Sequence, residues 1–452
     1  MLNQEVLRKV FKAYDIRGRV GEELTPDFVY KVGRALADYL PAAGPVAVGY
    51  DMRPDSEALA AALRHGLTDQ GRDVLDIGQV TSDMIYFAVG KLKLAGGAVV
   101  TASHNPGQDN GIKIYRDEVR AVGLDTGLAE IRDAVLADKF QAAPVTPGSV
   151  TKQDITKEWI DHCLSFVTTP LTPFRIAIDA GNGMAGAILP HLLSNLNLNV
   201  KKMYFKPDGT FPNHEANPQK LENLRDLIET VQADHLDFGV AFDGDGDRAV
   251  LVDDLGRPVS GSDVITLAAR HYLKLFPGAT IVHEVRTSRA ARELIAEWGG
   301  QPFRVKAGRI YIGEAMRTHD ALFGGETSGH LFFKENYFAD SGLIAMLVAM
   351  VALSESGARL STLVDQYHRY PMIPEMNLQV ADAEKVLERL ARHFHDGAQD
   401  HLDGLTIEYP LWWFNLRSSN TEPVVRLNLE ANNETLLTEK TAEIIGIIEE
   451  ER

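Results

Sequence analysis

Asp243-Gly244-Asp245-Gly246-Asp247 sets three carboxylates at alternate positions with only glycine between them, and Arg248 follows at once. Apolar, strand-like runs flank the motif, Asp237 to Phe242 before it and Ala249 to Val252 after it. The chain must therefore fold so that a turn between two strands gathers like charges. These repel one another unless a divalent cation or a bank of bases neutralises them. Glycine lets the backbone bend until the carboxylates converge. Ligation by oxygen alone favours a hard ion, and three protein oxygens leave octahedral Mg²⁺ free positions for water or phosphate. An EF-hand is excluded, because its sixth position needs glycine and its twelfth a glutamate, where this run has Arg248 and Asp254. A solvated acidic β-turn is the plainer alternative, but turns rarely stack three such groups.

At 452 residues the chain exceeds what one core supports and implies about three or four domains. Apolar content of 45% and charged content of 24% are those of a globular protein with a large interior. A net charge of −17 argues against a nucleic-acid binder, so an anionic substrate must find local positive groups. The single cysteine, Cys163, rules out an internal disulfide framework and a thiolate metal cage; it reads as a small buried hydrophobe and fits a reducing cytoplasm. The opening residues lack the basic start and apolar stretch of a secretory signal. The longest apolar run, Leu343 to Leu353, spans 11 residues, short of the ~20 a membrane helix needs. It reads as a buried helix, and a cytoplasmic protein without a membrane segment is the expectation.

Helical and strand-like segments alternate along the first 150 residues. Thr25-Pro26-Asp27 has the form of an N-cap with proline in the first turn, and Phe28, Val29, Val32, Leu36 and Leu40 follow at helical spacing. Val46 to Tyr50, Val74 to Ile77 and Gly97 to Val100 read as strands, and Ser56 to Leu67 as a helix. Similar units recur from Ile176 and from Thr280. Turn residues and proline collect near 144–148, 254–260 and 370–374, which predicts units 1–148, 149–255, 256–370 and 371–452. The last differs, with two strand-like runs, Trp412 to Leu416 and Val424 to Leu429, around a polar loop and an amphipathic helix from about Glu434. It reads as a small α+β domain.

After the strand Val99-Val100 comes Thr101-Ala102-Ser103-His104-Asn105-Pro106, then Asp109-Asn110-Gly111-Ile112-Lys113. Small and turn-forming residues expose the Ser103 hydroxyl. Beside a metal, such a hydroxyl can accept and donate a phosphoryl group, with Lys113 to neutralise charge or exchange a proton. A serine-protease arrangement is excluded, since His104 adjoins Ser103 and no G-x-S-x-G surrounds it. Alone, this loop would be no more than a capped turn.

Thr101 to Pro106 and Asp243 to Arg248 resemble the phosphoserine loop and the metal loop of the α-D-phosphohexomutases, the phosphoglucomutase and phosphomannomutase superfamily. Gly324-Gly325-Glu326-Thr327-Ser328-Gly329-His330 is similar to its sugar-recognition loop, and Arg417-Ser418-Ser419-Asn420-Thr421-Glu422-Pro423 to its distal phosphate clamp. Lys12 to Gly18 matches as well, and the likeness covers nearly the whole chain. Each added loop makes chemical sense unaided. Glu326 and Ser328 offer an acceptor and a hydroxyl to paired sugar hydroxyls; Arg417 can grip a phosphate bidentately while Ser419, Asn420 and Thr421 add donors.

The resemblance implies three related α/β domains with mixed sheets plus a smaller C-terminal α+β domain around a central cleft, with the last domain hinged. It implies that Mg²⁺ is held by Asp243, Asp245, Asp247 and the phosphorylated Ser103. Ser103, Lys113, Arg17, His330, Arg248 and His104 form the implied catalytic set, with His330, Lys113 and Arg17 as candidates for proton exchange. Tyr14, Arg309, Glu326, Ser328, Lys334, Arg417, Ser419, Asn420, Thr421 and Arg426 form the implied substrate-binding set. The implied activity is exchange of phosphate between positions 1 and 6 of a hexose through a bisphosphorylated sugar, with hexose 1,6-bisphosphate as the activating intermediate. A sugar phosphate is the expected partner, with no nucleic acid and no membrane, and the chain acts as monomer or homodimer. Arg309 stands where many members carry histidine, and Thr327 where methionine or glutamine is common. Thr101 and the stretch Asn415 to Pro423 favour the phosphomannomutase branch over phosphoglucosamine mutases, with mannose phosphates first and glucose phosphates second. A Mg²⁺-dependent sugar phosphatase and a non-catalytic binding protein are the competitors from other classes.

Overall fold

The computed structural model describes residues 8–418 and 424–450. Four sheets carry it, of seven, four, five and five strands. The first three share one strand plan. In each, two strands run parallel side by side, a third joins them in parallel, and a fourth returns antiparallel to the third as a hairpin. The hairpin strands are Gly96–Val100 with Asp109–Arg116 in the first sheet, Phe238–Phe242 with Ala249–Asp253 in the second, and Phe323–Gly325 with Leu331–Phe333 in the third. Their turns are the serine loop, the aspartate loop and the sugar loop. The fourth sheet is wholly antiparallel, and its hairpin Trp412–Ser418 with Val424–Ala431 leads into and out of the fourth loop. One topological position, used three times, thus delivers the first three loops, and a hairpin of the antiparallel sheet delivers the fourth.

Local chemistry explains the elements. The Thr25 hydroxyl accepts from the Phe28 amide at 3.2 Å, with Pro26 in the first turn, and the helix Pro26–Tyr39 buries Phe28, Val29, Val32 and Leu36. Such a cap contributes about 1 kcal/mol. The apolar run near 350 is the helix Gly342–Ser356, capped by Ser341 and buried from Gly342 to Leu353. Among the described residues no single helix is long and apolar enough to cross a membrane. Cys163 is fully buried.

One apolar cluster runs through the first three domains and includes Phe87, Trp159, Phe238, Phe333 and Leu347. Each such side chain contributes about 1.5–3 kcal/mol by leaving water. The C-terminal domain has its own cluster around Phe414, Val425, Leu427 and Ile444.

Two glycines set how closely these domains meet. A Cβ on Gly244 would lie 2.4 Å from the Ser103 carbonyl oxygen, and one on Gly342 would lie 2.7 Å from the Gly246 carbonyl oxygen. The serine loop and the N-terminus of the buried helix both abut the aspartate loop there.

One expected junction needs correction. Val150–Lys152 pairs in parallel with Val74–Gln79, and the Gly148 amide bonds the Thr68 carbonyl at 2.8 Å. The first sheet therefore extends past residue 148, because this short exposed segment completes its edge instead of leaving it.

Candidate active site

The aspartate hairpin buries its three carboxylates completely. One oxygen from each of Asp243, Asp245 and Asp247 lies within 4.8 Å of the others. Lys113, projecting from the strand Asp109–Arg116, sets Nζ 2.5 Å from both Asp245 Oδ2 and Asp247 Oδ2. Arg248 Nε donates to Asp243 Oδ2 at 2.9 Å. Three carboxylates therefore face Lys113 and Arg248, with His330 Nε2 a further 3.5 Å contact to Asp247. Asp245 Oδ1 and Asp247 Oδ1 remain buried without a hydrogen-bond partner. Buried acceptors of that kind cost free energy unless something satisfies them, so this donor set fits a small hard cation.

Burial pushes Asp243 up to about 6 against the pull of Arg248. Burial and the Asp247 charge push Asp245 up as well, yet Lys113 and a bond from Ser82 bring it below its ordinary value. Ser82 begins the helix Ser82–Leu92, and its amide donates to the Asp245 carbonyl at 3.0 Å. The positive end of that helix thus faces the aspartate loop.

Ser103 meets this cage from the first domain. Its Oγ donates to Asp243 Oδ2 at 2.7 Å, and Arg248 Nη2 stands 3.4 Å from the same Oγ. Ser103 has φ +53°, an unusual conformation for a residue with a side chain, and the loop around it must hold it there. Arg53 does so. Its guanidinium, 3% exposed and anchored on Asp51, donates to the carbonyls of Ser103, Asn105, Pro106 and Asp109 at 2.6–2.9 Å. Arg17 supports the other side, donating to Asn105 Oδ1 at 2.7 Å while Asp15 accepts its Nε at 2.9 Å.

His104, although next to Ser103 in the chain, brings Nδ1 to 3.3 Å from the serine Oγ and also contacts Arg248. Burial and the nearby cations Arg248, Arg17 and Lys113 hold it far below the usual imidazole value, so it is neutral and accepts.

The sugar loop closes the third side. Glu326 Oε1 accepts the Gly308 amide at 2.6 Å, and Oε2 accepts the Ser328 hydroxyl at 3.0 Å. His330 sets Nδ1 2.8 Å from Ser328 Oγ, while Nε2 lies 3.5 Å from Asp247 and 3.6 Å from Asp340. Burial alone would lower His330, but Asp247, Glu326 and Asp340 outweigh it and raise it to about 10. Glu326, despite burial, falls to about 2 beside His330 and Arg286. Arg309 donates to the Tyr14 carbonyl at 2.9 Å and lies over the Tyr115 ring, and the Tyr14 hydroxyl reaches the Ala307 carbonyl at 3.2 Å.

These groups line one cavity of about 330 Å³, with Tyr14, Arg17, Ser103, His104, Lys113, Arg248, Arg309, Glu326, Ser328, His330, Arg417 and Arg426 on its walls. Lys334 does not join them, contrary to the sequence reading: its Nζ pairs with the exposed Asp320 at 2.6 Å, because the turn after Leu331–Phe333 carries it away from the cleft. Ser419, Asn420 and Thr421 lie outside the described residues.

Sequence reasoning missed Arg53, Ser82, Glu284, Arg286 and Asp340. Arg286 also lines the cavity, and Asp340 is a buried carboxylate raised to about 7 by burial and by the Asp247 charge. Asp51-Met52-Arg53 and Glu284-Val285-Arg286 stand at the carboxyl ends of parallel strands, where open α/β sheets place ligand groups, and that position was the available signal. Chemically, a hydroxyl on a carboxylate cage with cations on several sides is suited to phosphoryl transfer.

Comparison with known proteins agrees. Family models described as phosphoglucomutase/phosphomannomutase alpha/beta/alpha domains I, II and III match residues 8–142, 157–256 and 260–370, and the C-terminal domain model matches 375–446. A relative from Xanthomonas campestris pv. campestris named phosphohexose mutases is 40% identical over 443 residues, covering 97% of this chain and 98% of that one. A phosphomannomutase from Escherichia coli is 39% identical over 452 residues, covering 97% and 98%. The solved structure of a phosphoglucomutase/phosphomannomutase family protein from Burkholderia thailandensis superposes with a TM-score of 0.90 at 31% identity, covering 99% of this chain and 97% of that one.

Fold and site together define a phosphohexomutase, an isomerase. The chain belongs to the phosphoglucomutase/phosphomannomutase family, the α-D-phosphohexomutases.

Proposed function

We propose that this enzyme interconverts hexose 1-phosphate and 6-phosphate, mannose first and glucose second, with Ser103 carrying the phosphoryl group and a hexose 1,6-bisphosphate as intermediate. The observation that carries this reading is the Ser103 Oγ, 2.7 Å from Asp243 inside the aspartate cage. The name of the Escherichia coli relative supports mannose.

Asp243, Asp245 and Asp247, with an oxygen of phosphorylated Ser103, would hold Mg²⁺. The ion supplies charge neutralisation for the transferring group. The chain's residues supply the rest. Arg53 and Arg17 keep the serine loop in place, so that the nucleophile needs no reorganisation. Lys113 and Arg248 offset negative charge from the sides of the cage, the type of preorganised contribution whose loss costs orders of magnitude in rate. His330 carries a proton and faces the cleft between Glu326 and Asp247, where it can exchange it with a sugar hydroxyl. Glu326 and Ser328 receive ring hydroxyls. Arg286, Arg417 and Arg426, with Ser419, Asn420 and Thr421, receive the phosphate remote from Ser103. The intermediate then turns within the cleft and returns its other phosphate to the serine.

The reading needs no second copy of the chain, since one chain carries every residue assigned, and a monomer or a homodimer serves equally. A cytoplasmic setting fits the unpaired, buried Cys163. The clustered cations of the cleft account for a sugar phosphate partner on a chain of net charge −17.

The test is turnover of mannose 1-phosphate to mannose 6-phosphate, paired with intact-protein mass spectrometry. Wild type should isomerise and show a fraction about 80 Da heavier, the mass of one phosphoryl group. Ser103→Ala should lack that fraction and lose at least about 10³-fold in rate. Full turnover by Ser103→Ala would refute the assignment, and release of inorganic phosphate in place of the isomer would make the enzyme a phosphatase.

A further inference from the structure

Glu284 ends the strand Thr280–Glu284 and is fully buried. Its two carboxylate oxygens serve different loops. Oε1 accepts both the amide and the hydroxyl of Thr327, at 3.1 and 2.5 Å. Oε2 accepts Arg286 Nε at 2.7 Å. Thr327 is itself pinned, because a Cβ on Gly261 at the start of the helix Gly261–Leu275 would come within 2.3 Å of its carbonyl oxygen. At its far end Arg286 sets Nη1 3.4 Å from Glu375 Oε2, and the same oxygen accepts from Arg417 Nη2 and Asn428 Nδ2, each at 3.0 Å. The two arginines line the cavity. The carboxylates stand behind them, and a hydrogen-bonded train runs from the sugar loop to both arginines.

We propose that Thr327 and Glu284 are positioning residues for the distal phosphate: the Thr327 hydroxyl fixes Glu284, Glu284 aims Arg286, and the aimed guanidinium shares with Arg417 the grip on phosphate. The proposal rests on the reading of the cleft as a hexose phosphate site. Thr327 lies between Glu326 and Ser328, the two residues assigned to ring hydroxyls, so hydroxyl recognition and phosphate recognition share one rigid unit. A carboxylate that bonds a hydroxyl, an amide and a guanidinium at once has little freedom, since each charged hydrogen bond fixes the direction of the others. Methionine at position 327 would leave Glu284 without the hydroxyl donor. Valine would remove the donor and keep the shape.

Calorimetric titration of inorganic phosphate into the Mg²⁺-loaded full-length protein tests this, with Arg286→Gln identifying the component bound at the distal site. Thr327→Val should weaken the Arg286-dependent component about 10-fold, the size of one hydrogen bond to a carboxylate. Thr327→Ser should restore wild-type affinity, and in the Arg286→Gln background Thr327→Val should change nothing further. In steady state Thr327→Val should raise KM for hexose 1-phosphate by a similar factor and move kcat less than about twofold. Any of four results would overturn the proposal: no Arg286-dependent phosphate binding in wild type, unchanged affinity in Thr327→Val, a serine variant that behaves like valine, or a further loss in the Arg286→Gln background. A protein that passes these tests yet does not isomerise hexose phosphates keeps the relay and loses the functional reading.

Discussion

Arg53 shows how one side chain can shape a reactive loop. Its four contacts to backbone carbonyls leave the Ser103 hydroxyl free to face Asp243, and Asp51 neutralises the guanidinium so that it can stay buried. His283 makes the opposite use of burial. It is 1% exposed, its Nδ1 lies 3.1 Å from the Glu284 carbonyl, and burial with the charges of Arg292 and Arg304 lowers it to about 3. In the unfolded chain it returns to about 6.5. The native form therefore takes up a proton less readily than the unfolded form, and stability is complete above about 6.5 and falls as pH drops from there towards 3. At pH 5 the loss from this residue is about 2 kcal/mol. Urea unfolding at pH 7 and pH 5 checks it: wild type should lose about that much more than His283→Gln, and parallel losses would show that His283 is not the group responsible. Individual residues such as Arg53, His283 and Asp340 were not legible in the sequence. Each sits among ordinary neighbours, and only packing brings it to its partners.

At the scale of elements, the hairpin turns that bear the serine, aspartate and sugar loops occupy equivalent positions in three sheets. They were legible as loops because glycine, asparagine and proline interrupt strand-like runs, and the Asp-Gly alternation has few other uses. The strands beside them were legible too, from Val46–Tyr50 to Thr280–Glu284. What the sequence concealed was where one loop touches another. A Cβ on Gly244 would lie 2.4 Å from the Ser103 carbonyl oxygen, a backbone atom that can move only with its loop. Gly244→Ala should therefore displace the serine loop from the aspartate loop. A misplacement of ~1 Å costs about 100-fold in rate. Steady-state assay should find kcat reduced by about that factor with the far-ultraviolet circular dichroism of wild type, and wild-type kcat would contradict the close approach. The edge strand Val150–Lys152 was hidden for another reason: three exposed residues, Val-Thr-Lys, are too few to show strand periodicity, and only pairing with Val74–Gln79 defines them.

For the whole molecule, the bonding between domains is uneven. The first three share an apolar core, whereas the fourth docks on the third largely through arginine. Arg289 donates to the carbonyls of Tyr409 and Pro410 at 2.8 and 2.9 Å, and Glu408 accepts from Arg292 at 2.9 Å and Arg304 at 2.7 Å. Polar interfaces of this kind permit relative motion more readily than apolar ones, which is compatible with the hinged last domain that the family resemblance implies. The four-domain plan was legible from length and from the loops in order. The docking was not, since Arg289 and Arg292 on one helix and Arg304 on a neighbouring strand read as ordinary solvated surface. All these arrangements serve one juxtaposition, Ser103 from the first domain against three aspartates from the second. Phosphorus-31 resonance of the Ser103-phosphorylated enzyme, titrated with paramagnetic Mn²⁺ in place of Mg²⁺, measures that juxtaposition directly. One equivalent should broaden the phosphoserine signal beyond detection in wild type and leave it sharp in Asp245→Asn. A signal that stays sharp in wild type with Mn²⁺ bound would contradict the account.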